Sequence, residues 1–254
     1  MVYSINFDDI RPFEDSEVND NLRLLLEDKQ FEGILQFVFQ DKERIEQIKF
    51  ALTNIHSVKE LQLGFMYKLI EDLIINKSTD GLMVSGLDNL DKKTSYLFIS
   101  NHRDILLDSA LMNYLIAREG MNTTEIAIGN NLLIENWIDI IVKLNRAFVV
   151  RRNLPVRELF VASQKLSEYV RRDITEKNSS VWIAQREGRT KDGNDKTQTS
   201  LLKMLNLSNV KELGEGFKEL KIVPLSISYE IEPCGFSKVY EIYKKKTEGY
   251  EKTQ

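Results

Sequence analysis

Ser95-Tyr96-Leu97-Phe98-Ile99-Ser100-Asn101-His102-Arg103-Asp104 reads as a short β-rich run that ends in a polar cluster. The next segment changes period. Ile105 to Glu119 has helical spacing, and Gly120 stands at the C-terminal cap position. The same alternation then repeats. Strands are expected at Glu125–Ile128, Ala147–Val150, Ser180–Ala184 and Lys221–Tyr229. Helices are expected at Ile134–Leu144, from Pro155 to about Thr175, and over 197–207. Proline fits the first turn of a helix. Strands alternating with helices define an α/β fold, with a mostly parallel sheet flanked by helices over residues 78–246.

Residues 1–77 read differently. Leu22, Leu24, Leu25, Ile34, Leu35, Phe37, Val38, Ile45, Ile48 and Leu52 recur near the helical period, and Leu61–Ile75 continues it. An N-terminal helical region is therefore expected before the α/β domain. Residues 247–254 read as a disordered tail. The acidic start, MVYSINFDDIRPFEDSEVND, lacks an apolar core segment and does not read as a secretion signal. No apolar run is long enough to span a bilayer. The single cysteine, Cys234, excludes an intramolecular disulfide and fits a reducing compartment.

The net charge of −4 argues against nucleic-acid binding driven by bulk charge. The charge is uneven, however. Residues 1–50 carry six basic and twelve acidic side chains, whereas 143–196 carry thirteen basic and seven acidic. A positive segment inside an acidic chain fits either a solvated face or an anion site. Its arginines fall just past strand ends, in Arg151-Arg152-Asn153 and Gln185-Arg186-Glu187-Gly188-Arg189. Open α/β sheets bind ligands outside the carboxyl ends of their strands. These two clusters and Asn101-His102-Arg103-Asp104 are thus expected to share one crevice.

His102 is one of two histidines, and carboxylates follow at Asp104 and Asp108. A carboxylate on one imidazole nitrogen fixes the tautomer and leaves the other nitrogen as a base. Asp104 also suits an N-cap, and Asp108 lies one turn further on the same face. The His-Arg-Asp string resembles a kinase catalytic loop, but Ser109 stands where asparagine is needed and no glycine-rich loop exists. Zinc-ligand spacing, a P-loop and a dinucleotide fingerprint are also missing.

In this setting the chain resembles the glycerolphosphate and lysophosphatidic acid acyltransferase family, as a divergent bacterial branch, from about Val84 to Tyr229. Val84–Leu90 looks like the family's lead-in, and Ile99-Ser100-Asn101-His102 looks like its strand and catalytic histidine. Ala147–Asn153, Glu187-Gly188-Arg189 and Val223-Pro224-Leu225-Ser226 look like the second, third and fourth motifs. The family places four residues between its histidine and aspartate, and Leu107 stands where that aspartate would be. The second motif ordinarily opens with glycine, where this chain has Arg146. One residue ordinarily separates Glu-Gly from Arg in the third, where Gly188 and Arg189 are adjacent.

The resemblance implies transfer of a fatty acyl group from acyl-CoA or acyl carrier protein to a hydroxyl of a lysolipid or glycerol phosphate. His102 would be the base, with Asp108 or its rival Asp104 orienting it. Arg151, Arg152, Glu187, Gly188 and Arg189 would bind the acceptor, and Pro224 would support the acyl pocket. No metal or cofactor is implied, only the acyl thioester as cosubstrate. The expected location is cytoplasmic, at the inner membrane face. The apolar faces of Leu132–Leu144 and Leu61–Ile75 fit either core packing or contact with that surface. A lipid-binding module without turnover, or an O-acyltransferase acting on an acylated amino acid, are the other readings.

Overall fold

Leu97, Phe98, Ile99 and Ser100 are consecutive and all buried, so both faces of their strand must be covered, as in a parallel sheet between helices. The computed structural model describes residues 5–247 and contains that sheet. Its strands are β1 (Leu97–Ser100), β2 (Glu125–Gly129), β3 (Ala147–Val150), β4 (Val181–Ala184) and β5 (Ile222–Leu225). Their spatial order is β3-β2-β4-β1-β5, and every pairing is parallel.

Period-two alternation sorts the side chains into two layers. Leu97, Ile99, Val181 and Ile183 pack with helix Val156–Thr175 through Leu166, Tyr169, Val170 and Ile174. Phe98 and Trp182 face the other way, against Met112 and Ile116 of helix Leu107–Arg118. The chain therefore leaves β1 on one face of the sheet and β4 on the other. These strands are neighbours, so a crevice opens between their carboxyl ends.

The N-terminal region forms helices Asp15–Glu27, Lys29–Phe39 and Lys42–Thr53, followed by a helical stretch over 60–78. Asp28 and Asp41 cap the second and third by accepting backbone N–H bonds. The last stretch contains two π-helical segments, Glu60–Met66 and Glu71–Ile75. These helices do not stand apart from the sheet domain. Val18, Leu22, Leu35, Ile48 and Leu61 share a core with Ile140 and Leu144 of helix Asn136–Leu144, and Trp137, Ile141, Phe65 and Met66 pack against it. The apolar face of 132–144 thus packs largely against the N-terminal helices. Ile10 reaches further: its carbonyl accepts from Val149 N–H at 2.8 Å, shielding edge strand β3.

Two boundaries differ from the sequence expectation for a local reason. The helix after β1 starts at Leu107, because the Asp108 carboxylate takes the N–H groups of 103 and 104, the Asp104 carboxylate takes those of 106 and 107, and 101–106 stay a loop. β5 stops at Leu225, because the Asn101 amide takes both the N–H and the carbonyl of Ile227, at 2.7 and 2.8 Å. Helices Leu213–Glu219 and Gly235–Thr247 are additional to those expected. The expected tail lies outside the described residues, except Thr247, which ends the last helix.

Candidate active site

β1 delivers His102 to the crevice, and Asp108 sits in the first turn of the following helix. His102 Nδ1 lies 2.9 Å from Asp108 Oδ2. The same oxygen accepts the backbone N–H of Arg103 at 2.7 Å and of Asp104 at 3.0 Å. Asp108 Oδ1 accepts from the hydroxyl of Tyr229 at 2.8 Å. A fully buried carboxylate is expensive unless its lone pairs are used, and here both oxygens are engaged. Burial first, and then the charge of Asp108, push the Tyr229 hydroxyl well above its ordinary range. Tyr229 therefore remains a donor. Sequence reading gave it no role, because 121 residues separate it from Asp108.

Asp104 does other work. Its Oδ1 accepts from the N–H groups of Leu106 and Leu107 at 2.9 and 3.0 Å, capping the helix. Its Oδ2 accepts from Cys234 Sγ at 3.3 Å. Burial alone would raise the Asp104 carboxyl. The N–H donors of Leu107 and Leu106, the thiol and the charge of Arg189 outweigh it and hold the group below the usual carboxylate range. The His102 ring stands edge-on to Trp182, with centroids 5.9 Å apart. The indole Nε1 in turn donates to Ser100 Oγ at 3.0 Å.

The loop after β4 closes on the histidine from the other side of the crevice. Thr190 N–H donates to the His102 carbonyl at 3.0 Å, and Gln185 N–H to Ser100 O at 2.7 Å. Gly188 takes φ +70°, which glycine adopts without penalty. Arg189, half-buried, makes no hydrogen bond or ion pair among the described residues, and its charge reaches Asp104. Glu187 turns outward and pairs with Arg152 at 3.2 Å.

Arg152 also donates its backbone N–H to Asn130 Oδ1 at 2.9 Å, and its guanidinium crosses Gly129 at the end of β2. The clusters after β1, β3 and β4 are thus linked in series. They do not line one cavity. The large groove, about 880 Å³, is bordered by Arg151, Arg152, Arg157, Arg186 and Glu187 over an apolar floor that includes Val149, Ile183 and Leu201. His102 and Arg189 do not line this groove. Arg151 turns away to Asp9 at 2.7 Å. Pro224 is exposed on edge strand β5, on the face opposite Val223 and Leu225, where a missing N–H is tolerated. Neither Arg151 nor Pro224 touches the histidine cluster.

The Acyltransferase family model matches residues 81–228, more than half the chain and the whole of this sheet. The chain belongs to the acyltransferase family. No curated protein matches it. Solved structures similar to this chain include two named proteins. One is the 1-acyl-sn-glycerophosphate (LPA) acyltransferase PlsC from Thermotoga maritima, at 13% identity and TM-score 0.42, covering 93% of this chain and 97% of that one. The other is chloroplast FtsY from Physcomitrella patens, at 14% identity and TM-score 0.28, covering 82% and 71%. At these scores neither carries an argument.

The geometry accounts for two departures in this acyltransferase. The extra residue between His102 and Asp108 is absorbed in the 101–106 loop, and the two side chains still meet. Arg146, at the position of the second motif's usual glycine, keeps a glycine-like φ of +62°. Its side chain holds it there, bonding to Thr123 and donating to Ser179 Oγ at 2.7 Å.

Proposed function

We propose that this chain transfers a fatty acyl group from acyl-CoA or acyl carrier protein to a hydroxyl of a glycerol-phosphate-type acceptor, in phospholipid synthesis. The observation that carries the reading is the 2.9 Å contact of His102 Nδ1 with a fully buried Asp108. Asp108 accepts from Nδ1–H, so Nε2 holds the lone pair and makes no hydrogen bond among the described residues. The acceptor O–H gives its proton to Nε2 as its oxygen forms a bond to the thioester carbonyl carbon. The C–S bond then breaks, and the departing sulfur takes the proton back from the imidazolium. Asp108 stabilises that cation without taking its proton.

Arg189 supplies positive charge from the loop that closes on His102, where it reaches Asp104, and Arg152 supplies it in the neighbouring groove. A guanidinium fork matches phosphate geometry. Positioning both reactants here supplies much of the rate. The reaction is assigned to the cytoplasmic side, at the inner face of a membrane where the lipid product belongs.

The test is thiol release by the purified chain with acyl-CoA and with acyl carrier protein. Glycerol 3-phosphate, lysophosphatidate and an N-acylated amino acid serve as acceptors. His102→Ala is expected to lower the rate by roughly 10²–10⁴-fold. Equal rates for this variant and the parent would refute the assignment. Binding of a lysolipid without thiol release would point to a lipid-binding module instead.

A further inference from the structure

Helix Gly235–Thr247 has its polarity reversed for a helix lying on a protein. Its inward side is charged. Lys238 is buried, donates to the Arg103 carbonyl at 2.7 Å and pairs with Glu232. Glu241, on the same side, pairs with Lys191, and with Lys245 at 3.3 Å. Its outward side is apolar. Phe236, Val239, Tyr240 and Tyr243 follow the i, i+3, i+4, i+7 rule and are 86, 65, 52 and 58% exposed. The rings of Phe236 and Tyr240 stack at 6.4 Å.

Position and charge say what covers this face. At about 100° per residue, Lys244 and Lys246 project from either side of the aromatic stripe, so cations border it. Ile231, just before the helix, and Leu106, in the loop after His102, are exposed as well. The helix is fastened to that loop through Arg103, which pairs with Glu232 at 2.9 Å, and through Cys234 on Asp104. The stripe is therefore held rigidly beside the histidine. Aromatic side chains with flanking lysines suit the headgroup layer of an anionic bilayer.

We propose that the outward face of helix Gly235–Thr247, with Ile231 and Leu106, seats the enzyme on an anionic lipid surface. The acceptor would then enter from the bilayer beside His102. That second step rests on the acyltransferase reading, whereas binding to the surface does not.

The experiment is co-sedimentation of the full chain with vesicles of phosphatidylglycerol and phosphatidylcholine, against phosphatidylcholine alone. The parent is expected in the pellet with anionic vesicles. The combined variant Phe236→Gln, Val239→Gln, Tyr240→Gln should bind at least about tenfold more weakly, with an unchanged far-ultraviolet circular dichroism spectrum. Lys244→Gln with Lys246→Gln should remove the preference for anionic vesicles. His102→Ala should sediment like the parent, which separates lipid binding from turnover.

Phe236→Trp gives a readout that does not depend on the triple variant folding. Its emission should be quenched by brominated lipid beyond the level set by the two native tryptophans. Several results would overturn the proposal. They are a parent that stays in the supernatant, a folded triple variant that pellets like the parent, or no added quenching. A lipid-free dimer that the triple variant splits would also overturn it, by showing the face to be an interface between copies.

Discussion

Two aspartates compete for one histidine in the sequence, and their hydrogen bonds separate them. Asp108 accepts from His102, from two backbone N–H groups and from Tyr229, while Asp104 spends its oxygens on the helix cap and Cys234. Asparagine caps helices as well as aspartate does. Asp104→Asn should therefore leave kcat/KM within roughly threefold of the parent, because an acceptor for the Leu106 and Leu107 N–H groups is kept. Asp108→Asn should lower it by roughly 10³–10⁴-fold, because an amide facing Nδ1 favours the wrong tautomer. Rates from the same thiol-release assay decide, and a reversed order would transfer the orienting role to Asp104. Tyr229→Phe leaves Asp108 Oδ1 without its donor. It should cost roughly 1–2 kcal/mol of stability in urea unfolding and lower kcat about tenfold or less, with acceptor KM unchanged.

Strands place the cations, and one of those placements depends on a missing side chain. A Cβ added at Gly129 would stand 2.8 Å from Arg152 Cζ and closer still to Asn131 Oδ1. Gly129→Ala should therefore displace the Arg152 guanidinium and raise the KM for an anionic acceptor about tenfold, with the acyl-donor KM unchanged. Equal acceptor KM values would remove Arg152 from the binding role. The same scale shows what could be read in the sequence. β1 to β4 were legible because buried parallel strands are short apolar runs bounded by turn residues. With them came the placement of His102, Arg152 and Arg189 just past strand ends. β5 was over-read by four residues at its carboxyl end, since the competitor for Ile227 is the side chain of Asn101, just past the end of another strand. Helix Gly235–Thr247 carries an ordinary amphipathic pattern, but its inward anchor is a lysine and its apolar stripe faces out. Periodicity reports that a stripe exists, not which way it turns. Arg151 turned to Asp9 for a similar reason: its partner lies in a loop 142 residues earlier.

Across the molecule, the histidine crevice and a second polar cluster occupy opposite ends of the sheet. The second cluster lies at the amino-terminal ends of the strands and holds Glu125, Asp173, Tyr169 and Arg146. Tyr169 donates to Glu125 Oε2 at 2.5 Å, and Arg146 approaches Oε1 at 3.8 Å. Ser179 also donates to Glu125, while Lys177 pairs with Asp173 at 3.0 Å. Burial, and then the neighbouring charge of Asp173, push the Glu125 carboxyl up to about 7, against the pull of Arg146. The sign of the consequence follows from which state holds the proton. Well below the ordinary carboxylate range, folded and unfolded chains both carry it, and the fold has its full stability. As pH rises towards 7 the unfolded chain releases it first, so stability falls, and the loss levels off once the folded chain has released it too. Glu125→Gln cannot ionise and lacks this component. Urea unfolding of both proteins from pH 5 to 8 should show the parent losing about 2 kcal/mol relative to the variant. Groups that do not couple to Glu125 cancel in that difference, whereas Asp173, which faces it, contributes to it. Parallel curves over this window would mean that Glu125 is ionised throughout, with Arg146 outweighing both burial and Asp173.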